Sequence, residues 1–582
     1  MASTRTICLA ACMALIALIP SHGQDQGQNQ ILAGYYDTTT DKLLSETLIN
    51  DTIGARIFYN EFFFGQRSII ANVEGGHIWG EHEIFDRSGL TGVAGSSAVT
   101  RYVADESVTA QTDAHATMVG NVLAGTGYFE ENGVGYLSNL MGVAPLAEMW
   151  SGAIATSFSS TEIGSFTITE ASVLTPYRTF FRGIEGQRPD VINSSWGGGD
   201  PSGTSFVAQT TDALARENST VAFVVAAGNG GSGAVSDPAS GYNNIAVGSL
   251  GGANFLTPSE FSSRGAADFY NPETNITVTG VRAVVDIAAP GEDLVLAAYL
   301  GASGSYQYLP DRVQEPSPTD RYFVNESGTS FAAPIVAGGI ALLKDVVHYY
   351  EENGIILSEH TLDTRVVKSV LMAGATQTEG WDNGQTLQDG VVSTTQSLDY
   401  ATGAGALNLD QAAQIYLISE TRDVAGLGGG TISEKGWDFG NLAAGGANEY
   451  HFANPFEHEM ELTISLNWFA GTGLDENDLG QALSFANLNL EVWRLAGGVL
   501  SEKVAESISL YNNSEFLRIA LDSPGEYAIR VAFLGMIYDL DPAVNDTEYA
   551  VAWQAVPEPA TWMLILAGAV VLCVIRRRII RV

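Results

Sequence analysis

Between residues 66 and 415, short apolar runs alternate with helical patterns, and this alternation leaves the chain few folds to choose from. Segments 68–73, 191–194, 221–226, 244–247 and 284–288 read as buried strands, and 114–123, 205–217, 330–350 and 364–373 read as helices. Buried strands separated by helices predict an α/β fold, a mainly parallel twisted sheet with helices on both faces. Such sheets carry their functional groups at the carboxyl ends of the strands. After about residue 420 the pattern changes. Segments 462–468, 488–493, 516–521, 527–533 and 548–553 alternate apolar and polar residues between turn-rich loops, which predicts a C-terminal β-sandwich or jelly roll.

Composition removes several functions. Acidic residues outnumber basic ones by 66 to 27, for a formal net charge of −39, so no nucleic acid is expected as a partner. The three cysteines, Cys8, Cys12 and Cys573, all lie in terminal apolar segments. The body of the chain therefore has no disulfide, no thiolate metal ligand and no cysteine nucleophile. The N-terminus places Arg5 before an apolar run at 7–19, which predicts a secretory signal peptide ending near Gly23. Residues 24–65 carry no motif and are expected to be a short pro-region or extension. At the other end, Val556-Pro557-Glu558-Pro559 precedes an apolar run at 560–575 and then Arg576-Arg577-Arg578. That order predicts a short membrane helix with its basic end in the cytoplasm. Both termini place the bulk of the chain outside the cytoplasm.

Four segments carry the chemistry. Gly328-Thr329-Ser330-Phe331-Ala332-Ala333-Pro334 opens a long apolar helix. A serine there meets the positive end of the helix dipole, and Pro334 is expected in the first turn, where a missing N–H costs little. Serine becomes a nucleophile only when a base removes its proton. His115, at the start of a small-residue helix in the segment that runs on to Gly125, is the candidate base. Val225-Ala226-Ala227-Gly228-Asn229-Gly230 ends a buried strand in a Gly-Asn turn, and the Asn229 amide is a candidate oxyanion donor. Val191-Ile192-Asn193-Ser194-Ser195-Trp196-Gly197-Gly198 ends a strand whose backbone an extended peptide could join.

In this order the four segments resemble the subtilisin-like serine proteases (subtilases, S8 type). Further likenesses are Gly142-Val143-Ala144-Pro145, Phe261-Ser262-Ser263-Arg264-Gly265, Asp286-Ile287-Ala288-Ala289-Pro290-Gly291 and Gly403-Ala404-Gly405-Ala406-Leu407-Asn408. The resemblance implies an endopeptidase acting on protein or peptide substrates. It implies Ser330 as nucleophile, His115 as general base and Asn229 as oxyanion donor. Ser195, Trp196 and Gly197 would flank the substrate backbone, with Ala227 and Gly228 walling the specificity pocket. No cofactor is implied. The acidic loop from Asp539 and Asp541 to Asp546 is a candidate structural calcium site.

The family's acid normally sits in an Asp-Thr-Gly or Asp-Ser-Gly sequence. Here the first strand ends in Glu74-Gly75-Gly76, and His82-Glu83-Ile84 matches the next landmark, so Glu74 is the aligned acid. Asp113 is its rival. The tail resembles the PEP-CTERM sorting signal, which implies an exosortase-type sorting enzyme as partner and membrane attachment through the C-terminal helix until processing. The expected domains are a signal peptide at 1–23, an N-terminal segment at 24–65, a peptidase domain at 66–418, a β-sandwich at 419–555 and a sorting signal at 556–582.

Overall fold

The computed structural model describes residues 49–557 apart from 109–111, 132–133, 138–139, 160–164, 298–321, 356, 419, 422–427 and 542–544. It adds two short strands, Tyr36–Asp37 and Lys42–Leu43. The expected signal peptide and C-terminal apolar helix lie outside the described residues.

The main sheet is built from β1 (Ile69–Glu74), β2 (Val99–Ala104), β3 (Glu148–Ala153), β4 (Val191–Ser194), β5 (Ala222–Ala226), β6 (Ile245–Gly251), β7 (Thr257–Pro258) and β8 (Ile287–Pro290). Its order is β7-β6-β5-β4-β1-β3-β2, with β8 also on β6. Every pairing is parallel except that of β7 with β6. β4 to β6 build outward on one side of β1, while β3 and β2 build on the other. The order of the strands thus reverses at β1 and β4, and a crevice is expected beyond their carboxyl ends.

Alternate residues of these strands face opposite layers. Ile70, Val191 and Val224 share one core with α1 (Ala114–Ala124) and α4 (Thr329–Glu352). Ala71, Val73, Ile192, Phe223 and Val225 share another with α2 (Glu170–Arg182) and α3 (Phe206–Glu217). The helix α2 departs from the sequence expectation because Pro176 interrupts its pattern. A capping box of Thr169 and Ser172 starts it nonetheless.

Residues 49–64, part of the expected N-terminal segment, pack against the peptidase core. Ile49, Ile53, Phe58 and Phe64 join the cluster around α1 and α4. Asn50 Nδ2 donates to the Gly142 carbonyl at 3.2 Å and the Tyr59 hydroxyl to that of Val143 at 2.6 Å.

The C-terminal part is a two-sheet sandwich. One sheet orders β12 (Lys435–Ala443), β20 (Asp546–Pro557), β14 (Met460–Trp468) and β18 (Ser514–Leu521) as β12-β20-β14-β18. The other has β11 (Gly430–Ile432), β13 (Ala447–Phe452), β16 (Gly480–Ala496), β17 (Val499–Ser507) and β19 (Tyr527–Asp539), with β15 (Gly471–Leu474) on β16. It also takes a hairpin, β9 (Thr386–Gln388) and β10 (Val391–Thr394), from within the stretch assigned to the peptidase.

The sandwich is joined firmly to the peptidase domain. Two helices, α5 (Thr364–Ala373) and α6 (Leu409–Tyr416), lie between the two. Trp437, Phe439, Phe516, Ala550 and Ala552 fall within the peptidase core cluster. Polar contacts follow the same seam. Asn467 Nδ2 donates to Ser369 Oγ at 2.8 Å, Gln554 Nε2 to the Ala373 carbonyl at 2.8 Å, and Arg518 Nη2 to that of Ala375 at 2.6 Å.

Candidate active site

Glu74, the last residue of β1, is only 1% exposed. A buried carboxylate persists only where its oxygens find donors. Oε2 lies 3.1 Å from His115 Nδ1, and Oε1 accepts the Ser195 backbone N–H at 2.9 Å. The glutamate thereby spans the crevice from the end of β1 to the residue that follows β4.

His115 is the second residue of α1. Asp113 caps that helix, its Oδ1 accepting the His115 backbone N–H at 3.1 Å. Its carboxylate is thus engaged with the helix terminus rather than with the imidazole. Burial also pushes the Asp113 carboxyl above the usual aspartate range. For His115, burial on its own would lower the pKa. The charge and hydrogen bond of Glu74, with the charges of Asp113 and Glu326, outweigh it and hold the imidazole above its ordinary 6.5.

Ser330 is the second residue of α4. Its hydroxyl donates to the Ser195 carbonyl at 3.0 Å. The sequence predicts a hydroxyl turned toward His115. A serine hydroxyl has one proton, and in the ligand-free chain the carbonyl at the exit of β4 accepts it. The ring of Phe331, the next residue, is 5.8 Å from that of His115. Pro334 is the sixth residue of α4 rather than a first-turn residue, so its ring removes the N–H that would otherwise reach the Ser330 carbonyl.

The amide of Asn229 has a fixed orientation. The Thr329 backbone N–H, which can only donate, lies 2.9 Å from Oδ1, and the Thr329 hydroxyl donates to the same atom at 3.0 Å. That hydroxyl in turn accepts the Gly228 N–H at 3.1 Å. Nδ2 therefore faces away from Thr329. A Cβ built on Gly328 would stand 3.5 Å from Asn229 Nδ2 and 3.6 Å from the Ser330 backbone nitrogen. Two N–H donors thus border the space that Gly328 leaves open. Gly228 holds φ of 101°, a conformation that requires glycine.

The remaining motifs brace these groups. The Gly228 carbonyl accepts the Ser263 N–H at 2.8 Å, the Gly328 N–H reaches the Gly291 carbonyl at 2.8 Å, and the Ala288 N–H reaches that of Gly405 at 2.9 Å. Trp196 is partly buried. Its Nε1 donates to the Tyr177 hydroxyl at 3.0 Å, and its ring meets Phe166 at 6.2 Å. Gly197 lies beside the Asp237 carbonyl, and Ala227 bonds back to Val247 at 3.0 Å.

The structure brings Glu74, His115, Ser195 and Ser330 into one chain of contacts, with Asn229 beside Ser330. Sequence reasoning missed Thr329 as the residue that orients Asn229, and Tyr177 and Phe166 as supports of Trp196. The Thr next to the Ser was a signal for the first; the other two have none in the sequence. Among the described residues, no group of three or more His, Cys, Asp or Glu is placed to hold a metal ion. Residues 542–544 of the candidate calcium loop lie outside the described residues.

The Subtilase family (Peptidase S8) matches residues 81–405, and the PEP-CTERM protein-sorting motif matches 555–579. The chain belongs to the subtilase family. It is an exported protease whose C-terminal motif points to the cell envelope and to an exosortase-type sorting system. The family match starts beyond Glu74 and includes His115, Asn229 and Ser330. Among solved structures, the prenylagaramide maturation protease PagA is 22% identical with a TM-score of 0.41, over 62% of this chain and 97% of that one. No curated protein matches.

Proposed function

We propose that the protein is a serine endopeptidase that cleaves peptide bonds through an acyl-enzyme on Ser330. The observation that carries this reading is the contact chain from His115 through Glu74 and Ser195 to Ser330. Glu74 accepts the Nδ1–H of His115, which leaves Nε2 free to act as base and stabilises the imidazolium that forms. An incoming peptide competes for the Ser195 carbonyl, and rotation about χ1 of Ser330 turns its hydroxyl to the imidazole. Oγ attacks the substrate carbonyl, its proton passes to Nε2, and Asn229 Nδ2 with the Ser330 N–H receives the oxyanion. The proton then goes to the leaving amine. Water, deprotonated by the same imidazole, releases the acid and restores the hydroxyl.

Ser195, Trp196 and Gly197 would line the substrate backbone, and Ala227 with Gly228 the pocket for the residue before the cut. These side chains need no cofactor for the steps described. The C-terminal helix would hold the protein in the membrane until the sorting enzyme cuts.

The test is a fluorophosphonate probe. Purified protein should label, and Ser330→Ala should abolish both labelling and casein cleavage. Well-folded wild-type protein that never labels and never cuts would instead mark a binding protein on a protease scaffold.

The pH dependence follows from the histidine. The base must be neutral, and its pKa is held above 6.5. The acidic limb of kcat/KM should therefore have its midpoint above pH 6.5, with activity lost as pH falls through it. A midpoint below that value would mean that burial outweighs the carboxylates at His115.

A further inference from the structure

One residue on the catalytic face of the sheet contradicts the rules for its position. β1 is a buried parallel strand, Ile69-Ile70-Ala71-Asn72-Val73-Glu74, and such strands are apolar runs in which asparagine is depleted. Asn72 is nevertheless fully buried. It lies in register with Asn193 of β4, also fully buried, and Asn193 Nδ2 donates to Asn72 Oδ1 at 2.9 Å. Asn72 Nδ2 and Asn193 Oδ1 have no partner among the described residues. Buried polar atoms without partners are destabilising, so the pair is poorly explained as a stabilising device.

The pair does have an outlet toward the site. Asn193 Nδ2 also donates to Ser195 Oγ at 3.1 Å. Ser195 in turn holds Glu74 Oε1 through its backbone N–H and accepts the Ser330 hydroxyl on its carbonyl. A glutamate has one more rotatable bond than an aspartate, so its carboxylate needs a fixed anchor to keep Oε2 on His115. That anchor is the Ser195 peptide, and Asn193 fixes the side chain of the same residue.

We infer that Asn72 is a positioning residue for the catalytic acid, acting through Asn193 and Ser195 to hold Glu74 against His115. The inference rests on the proposed triad. Asn72 touches neither substrate nor the reacting atoms. Its effect is transmitted along the line Asn72, Asn193, Ser195, Glu74, His115. Loosening that line weakens the contact that raises the His115 pKa, and the pKa falls.

The test is Asn72→Leu, which keeps the bulk and removes the acceptor. The expected result is a fall in kcat of between about 10- and 100-fold with little change in KM, the size of effect that small misplacements of reacting groups produce. The acidic limb of the pH profile should move to lower pH. Ser195→Ala, which cuts the line at its far end but keeps the backbone N–H, should move the limb the same way. The two together should do no more than either alone, as substitutions along one chain of contacts are not additive. A pH titration of the His115 ring by NMR reads the same shift without turnover, so it decides the inference even if wild-type protein fails to label and the proposed function falls. If Asn72→Leu does not fold, the titration of Ser195→Ala decides alone. A folded Asn72→Leu enzyme with wild-type kcat and pH limb, full additivity of the two substitutions, or an unmoved His115 titration would each overturn the inference.

Discussion

Glu74→Ala is expected to lower kcat by about 10⁴-fold, whereas Asp113→Ala lowers it only slightly. The first figure is the order of magnitude seen when a catalytic histidine loses the acid that fixes its tautomer. Glu74 is the carboxylate on Nδ1 of His115 and has its other oxygen clamped by Ser195. Asp113 reaches only the backbone N–H of the same histidine. Its removal costs a helix cap, worth about 1 kcal/mol of stability, and should appear mainly in Tm. Steady-state kinetics on a peptide substrate, with thermal melting of each variant, separates the two effects. A large loss of turnover in Asp113→Ala with little change in Glu74→Ala would transfer the acid's role to Asp113.

Ending the chain at residue 418 is expected to prevent stable folding of the peptidase domain. Such a fragment keeps every residue of the site but loses Trp437, Phe439 and Phe516, whose side chains complete the peptidase core cluster. A buried aromatic contributes roughly 1.5–3 kcal/mol, and a whole domain is stable by only about 5–15 kcal/mol. The cut would also strip the partners of Ser369 and of the Ala373 and Ala375 carbonyls. Insoluble fragment, or a Tm far below that of the longer chain, is the expected outcome. A fragment that melts within a few degrees of the longer chain and still labels with the probe would show that the sandwich is dispensable.

These two predictions reflect how unevenly the sequence reveals the molecule. β4 and α5 agree with their expected bounds because clean apolar runs and an Asp cap mark them. The segments of Ser330 and His115 are legible because each is local, a helix start with small neighbours. Glu74 was legible only through register, and its second partner, Ser195, lies 121 residues away along the chain. The sandwich shows a different limit. In β14, Thr463, Ser465 and Asn467 alternate with Leu462, Ile464, Leu466 and Trp468, which reads as one wet face and one dry. Both faces are buried, because the polar side packs toward α5 and donates to it. Alternation reports two different environments, and it does not say that either of them is water. The packing of the N-terminal segment was hidden for a similar reason. Ile49, Ile53 and Phe58 are too few to show a period, yet the core takes them.

The helix that carries Ser330 has a second property, its resemblance to a membrane span. Thr329–Glu352 is long and apolar enough to cross a bilayer, with a mean hydropathy of 1.6 over its most apolar stretch, although it is a core helix of the folded protein. By length and composition alone, an unfolded stretch of this kind could enter a bilayer. Lys344 and Asp345 stand in its path, and each charge deep in a spanning helix opposes insertion by roughly 2.5–3.5 kcal/mol. After folding, the same two residues are satisfied inside. Lys344 donates to the Asp190 and Thr220 carbonyls at 2.9 and 2.7 Å, and Asp345 accepts the Gly65 and Arg67 backbone N–H groups at 3.0 and 3.2 Å. The adjacent charges thus oppose a place in lipid and are nevertheless satisfied in the dry interior of the fold.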